Sequence, residues 1–180
     1  SLKKAGLTLA VSQASTIAQV YDSIAMIGTL LGRDAEATAL VQEMQDTFAA
    51  VTVSGEGAGQ TVYFEVSPLA WGLWTGGSGT FMDEICRMLG LTNAFADIEG
   101  WAEISQEQVL ERDPDYIVTV TMYFGEGPRP DEEIISRPGW ENLEAVVNRH
   151  IYCADNDSIT RPGPRLKDAA QDLHDFVYGK

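Results

Sequence analysis

Three short apolar runs constrain this chain more than any other feature: TVYFEV (61–66), DYIVTV (115–120) and HIYCA (150–154). Each has strand length, and DYIVTV in particular shows almost no polar alternation. A strand without a polar face must be covered on both sides, which argues for a mostly parallel sheet with helices packed over each face. LTLAVS (7–12) reads as a further short buried strand.

The segments between the runs carry helical signals. Ile17, Val20, Tyr21, Ile24, Ile27 and Leu31 recur at spacings of three and four. Leu40, Val41, Met44 and Phe48 continue that face beyond Gly32. Residues 15–50 are therefore either one long kinked helix or two helices end to end. SGEGAGQ (54–60) is the clearest internal boundary. Thr80 with Asp83, and Ser105 with Gln108, are capping boxes, the first opening a helix with Phe81, Ile85, Met88 and Leu89 inward. A short helix is expected over 131–136. Pro164 suits the first turn of a last helix, with Leu166, Ala169, Leu173, Phe176 and Val177 inward. The order of elements is that of an α/β fold, a Rossmann-like lobe preceded by a long N-terminal helix.

In such sheets ligands lie beyond the carboxyl ends of the strands. The segments there are SPLAWGLWTGGSGT (67–80), TMYFGEGPRP (121–130) and DNDSITRPGPR (155–165). They carry Trp71, Trp74, Tyr123, Phe124, Arg129, Arg161 and Arg165, and the connector ADIEGWAEIS adds Trp101. Aromatic rings gathered on loops suit a bulky, partly flat ligand. The glycine run is not a phosphate loop. No lysine follows Gly79, and Met82 is too bulky for a dinucleotide fingerprint. Ser78 and the amides around it remain free to face a ligand of another kind.

Catalytic and metal signatures are weak. G-x-S-x-G fails because Thr80 stands where the second glycine belongs, and neither HExxH nor CxxC occurs. Glu65 and Glu103 each read as a general-acid candidate, though a carboxylate in a cleft is weak evidence alone. Cys86 and Cys153 read as two buried small hydrophobes. The net charge of −15 opposes a nucleic-acid or anionic-membrane partner.

Several long stretches resemble one family. VYFEVSPLAWGLWTGGSGTFMDEICRMLG, GWAEISQEQVLERDPDYIVT, IISRPGWENLEAVVNRHIYCAD and RPGPRLKDAAQDL resemble the C-terminal lobe of ABC-transporter substrate-binding proteins of the helical-backbone class. ASTIAQVYDSIAMIGTLLGRDAEATALVQEM resembles the helix joining their two lobes. The resemblance implies a remnant of an N-terminal lobe over 1–14, a linker helix over 15–53 and a ligand-binding lobe over 54–180. It implies an extracytoplasmic protein, periplasmic or lipid-anchored, that captures a siderophore, cobalamin or haem-like chelate. The protein would be a monomer that delivers its ligand to a membrane permease, without catalysis, cofactor or resident metal. Trp71, Trp74, Ser78, Trp101, Tyr123, Phe124 and Arg161 are the expected ligand contacts, with Arg165 more structural. Glu132 and Glu133 are the expected permease-docking acids. Three alternatives stay open: a zinc or manganese binder, an α/β enzyme with a carboxylate acid–base pair, and an interaction domain with a protein partner.

Overall fold

The computed structural model describes residues 8–52, 59–120 and 128–179. In chain order the elements are α1 (Ile17–Leu31), α2 (Asp34–Val51), β1 (Thr61–Glu65), β2 (Leu73–Gly76), α3 (Phe81–Met88), β3 (Thr92–Asn93) and β4 (Trp101–Ile104). Then follow α4 (Gln106–Arg112), β5 (Tyr116–Thr119), α5 (Pro130–Ile135), α6 (Glu144–Val147), β6 (Ile151–Cys153), α7 (Asn156–Ile159) and α8 (Leu166–Tyr178). The three apolar runs become β1, β5 and β6. With β3 they form a four-stranded parallel sheet in the order β3-β1-β5-β6. This is the α/β architecture that continuous apolar strands require.

Alternation along the strands divides the interior in two. Val62, Phe64, Tyr116, Val118 and Val120 face a core shared with α1, α2, α3 and α8. Tyr63 and Ile117 face a second core with Leu73, Phe95, Ile104, Val109, Ile134 and Trp140. The caps form as their side chains dictate. The Thr80 hydroxyl accepts from the Asp83 amide, and Ser105 and Gln108 bond reciprocally.

Residues 8–14 form no strand, contrary to the expectation for LTLAVS. A strand needs a hydrogen-bonded neighbour, and in this segment Leu9 and Val11 are exposed rather than buried. The stretch expected as one long kinked helix or two helices end to end forms two helices. Gly32 takes a left-handed conformation (φ 65°), and the Arg33 amide closes on the Gly28 carbonyl at 2.8 Å. α2 then folds back along α1 rather than continuing it, so that Tyr21 and Gln45 line one groove. Ile17, Val20, Met44 and Phe48 enter the same core. The helices approach so closely that a Cβ on Gly28 would lie 2.4 Å from the Ala37 Cβ.

Candidate functional site

Beyond β1 the chain forms a feature with no counterpart in the sequence reading. β2 and β4 pair antiparallel as a separate two-stranded ribbon, with Leu73 opposite Ile104, Trp74 opposite Glu103, Thr75 opposite Ala102 and Gly76 opposite Trp101. The ribbon is tied to the sheet where the Val66 amide donates to the Trp74 carbonyl at 2.9 Å. Its pleat sorts the side chains. Leu73, Thr75 and Ile104 are buried on the inner face. Trp74, Glu103 and Trp101 stand on the outer face, the two rings being 40% and 39% exposed.

The outer face is held firmly. The Trp101 ring packs against Phe81, at the start of α3, with centroids 5.6 Å apart. Trp71 ends a tight turn (Leu69–Trp71) and is 73% exposed. The Ser67 hydroxyl bridges the loop behind it, donating to the Gly72 carbonyl and accepting from the Trp74 amide. Gly72 has φ 86°, and a Cβ there would lie 2.8 Å from Glu103 Oε1. That carboxylate therefore leans over the turn carrying Trp71.

The structure thus brings Trp71, Trp74 and Trp101 to one ribbon and the turn leading into it. Ser78 lies just beyond, but its hydroxyl and amide both donate to the Ile98 carbonyl, at 3.0 and 2.7 Å. Its bonds close the loop. The glycines beside it serve the same closure: a Cβ on Gly77 would lie 2.0 Å from the Ile98 carbonyl oxygen. Tyr123 and Phe124 lie outside the described residues. Arg161 follows α7 and pairs with Asp157 at 2.9 Å, and Arg165 reaches the same carboxylate at 3.5 Å. Arg129 pairs with Asp131 at 3.0 Å.

The two docking candidates differ in their commitments. Glu132 is exposed and accepts the Arg129 amide at 3.1 Å. Glu133 bonds the guanidinium of Arg137. Arg137 also forms a two-pronged pair with Glu65 at the end of β1, at 2.9 and 3.1 Å. It is a residue that sequence reasoning missed. Glu65 is 1% and Arg137 2% exposed, and the guanidinium lies 4.1 Å over the Trp140 ring. Burial pushes the Glu65 carboxyl up, against the pull of Arg137. Burial opposes the Arg137 charge, yet the hydrogen bonds from both carboxylates hold its pKa above the ordinary value. Glu65 is thus a sealed structural partner, not an accessible general acid. The signal was present in the sequence: a lone charge inside YFEV demands an opposite one.

The cysteines differ from their common expectation. Cys86 is buried, but Cys153 is only half-buried, opposite Thr119 at the carboxyl end of β6. His150 stacks on Tyr116 and His174 lies beside Asp175. Among the described residues no three His, Cys, Asp or Glu side chains are grouped to hold a metal ion. No described helix is long and apolar enough to cross a membrane.

Comparison with known proteins agrees with this architecture. The chain is 34% identical to the uncharacterized ABC transporter substrate-binding lipoprotein YvrC of Bacillus subtilis, over 98% of this chain and 56% of that protein. It is 35% identical to the Fe(3+)-citrate-binding protein YfmC of the same organism, over 57% of this chain and 32% of that protein. The chain therefore spans about half the length, or less, of these relatives. Among solved structures it resembles a possible iron-binding (periplasmic solute-binding) protein from Staphylococcus epidermidis. There the TM-score is 0.81 and the identity 30%, covering 98% of this chain and 69% of that one. The periplasmic binding protein profile matches residues 2–158, and the chain belongs to that family.

Proposed function

We propose that this chain is the C-terminal ligand-binding lobe of an extracytoplasmic substrate-binding protein of an ABC importer. In this reading it captures an iron–siderophore or cobalamin-type chelate and passes it, chemically unchanged, to a membrane permease. The observation that carries the reading is the exposed tryptophan face of the β2–β4 ribbon, with Trp71 beside it. Rings held open to solvent on a braced scaffold need a flat apolar partner, and the ligand periphery supplies one. The family match and the iron-linked names of two similar proteins support the ligand class.

The lobe acts as one wall of a cleft and works as a monomer. Docking falls to Glu132, because Glu133 is committed to Arg137. Arg161 serves a ligand only by exchanging its Asp157 partner, so its contribution is smaller than that of the rings.

Tryptophan fluorescence tests the proposal. The chain is titrated with ferric hydroxamate, ferric catecholate and cobalamin, and weak, saturable quenching by one class is expected. No response to any class up to solubility would refute the ligand reading. Nanomolar affinity of this chain by itself would refute the one-wall view. For docking, Glu132→Arg in the full-length protein should impair uptake while leaving ligand affinity intact. Unimpaired uptake would remove Glu132 from the interface.

A further inference from the structure

The outer face of the ribbon is not purely aromatic. Glu103 stands directly opposite Trp74, and Trp101 lies two residues before it on the same pleat. Its Oε1 leans toward Gly72, next to Trp71. The Glu103 side chain is exposed, and among the described residues its carboxylate makes no hydrogen bond or ion pair. The arginines nearest in sequence to the expected ligand loops are engaged elsewhere: Arg129 by Asp131, and Arg161 and Arg165 by Asp157. The wall is therefore three electron-rich ring systems around one unpaired carboxylate.

That combination has a definite chemical preference. The faces of indole rings carry negative potential and attract a cation, and a carboxylate among them adds to that attraction. An anionic chelate approaching this wall meets repulsion, and Arg129, Arg161 and Arg165 are each paired with an aspartate. We infer that the ribbon is a subsite for a cationic group on the ligand, an ammonium or similar charge on the periphery of the chelate, with Glu103 as its specificity-determining residue. The inference rests on the chelate-binding reading and narrows it, placing multiply anionic chelates among the disfavoured ligands.

A matched pair of probes isolates the charge. One is the gallium complex of a linear trihydroxamate bearing a terminal ammonium. The other is the same complex with that amine acetylated. Gallium replaces iron so that binding is readable by NMR without paramagnetic broadening. The indole N–H resonances of Trp71, Trp74 and Trp101 report contact, and buried Trp140 is the internal control. At low salt the ammonium form should bind about fivefold more tightly, the combined scale of an exposed cation–π contact and an exposed ion pair. Added salt should shrink the preference. Glu103→Gln should lower affinity for the ammonium form toward that of the acetylated form, and leave the acetylated form unchanged.

Equal affinities for the two probes in the unsubstituted chain, or a preference undiminished by Glu103→Gln, would overturn the subsite while leaving chelate capture standing. Tighter binding of gallium citrate, an anionic complex, would do the same. Failure of every probe, gallium citrate included, to move any indole resonance would overturn the subsite, and only the further failure of ferric catecholate and cobalamin would refute the capture reading beneath it.

Discussion

Arg137→Met should be the most informative perturbation of the fold. Methionine keeps most of the arginine stem's volume against Trp140 but strands Glu65 inside the protein, where it is 1% exposed. A carboxylate without its partner in such a place takes up a proton rather than remain charged. Neutralising a carboxyl whose unfolded-state pKa is about 4.3 costs about 1.36 kcal/mol per pH unit above that value, hence at most about 3.7 kcal/mol at pH 7 and about 1 kcal/mol at pH 5, part of which the unsubstituted protein already bears through the raised pKa of Glu65. The lost guanidinium–indole contact adds about 1 kcal/mol. The total at neutral pH falls within the roughly 3–5 kcal/mol typical of removing one member of a buried pair.

The sign follows from linkage. In the variant the folded-state pKa of Glu65 lies above its unfolded value, so the destabilisation is small in acid and grows as pH rises. Urea unfolding at pH 7 and pH 5 measures both values, and the midpoint of thermal unfolding at pH 7 should fall by about 10–15 °C. Adding Glu65→Gln to Arg137→Met should recover most of the loss at pH 7 and little at pH 5. A destabilisation that is the same at both pH values, with no recovery in the double variant, would refute the stranded-charge account.

Gly77→Ala should destabilise by about 2 kcal/mol or more, because its Cβ would lie 2.0 Å from a backbone oxygen that cannot swing aside. Urea unfolding checks this, and a neutral substitution would show that the loop ending at Ile98 yields freely. Trp101→Ala should weaken chelate binding about tenfold, the upper scale of one stacked ring, with Arg161→Ala weaker in effect; titration of the two variants compares them. The thiols should separate in native-state labelling. Cys86 is buried with its pKa pushed well up, whereas burial raises the pKa of half-buried Cys153 but leaves part of the side chain accessible. Cys153 should react slowly and Cys86 only at the rate of unfolding, and equal rates would contradict the packing around α3.

What was legible in the sequence is what local chemistry decides. Continuous apolar runs gave β1, β5 and β6, and side-chain caps gave the starts of α3 and α4. The ribbon was hidden because LWTG and WAEI are four residues each, and LWTG contains a glycine. Their alternation is visible only once the pairing register is known. LTLAVS misled for the opposite reason. Its composition suits a strand, but strand formation depends on a neighbour that composition does not supply. The helices α6 and α7 are each four residues long, too short for a periodic signal. The tryptophans were recognisable as site candidates from where they fall relative to strand ends. Their grouping around Glu103, and the withdrawal of Ser78 and Glu133 into scaffold bonds, are tertiary facts.

The ribbon's pleat separates two kinds of requirement. Positions 73, 75 and 104 answer to the interior, whereas 74 and 103 face solvent and 101 is shared between the two through its packing on Phe81. Side chains at 74 and 103 can be exchanged without repacking the inner face. If the ribbon contacts the ligand as proposed, single substitutions at these two positions retune the cargo at little risk to folding. Relatives that share the sheet but carry different chemistry at positions 74 and 103 would be products of that freedom.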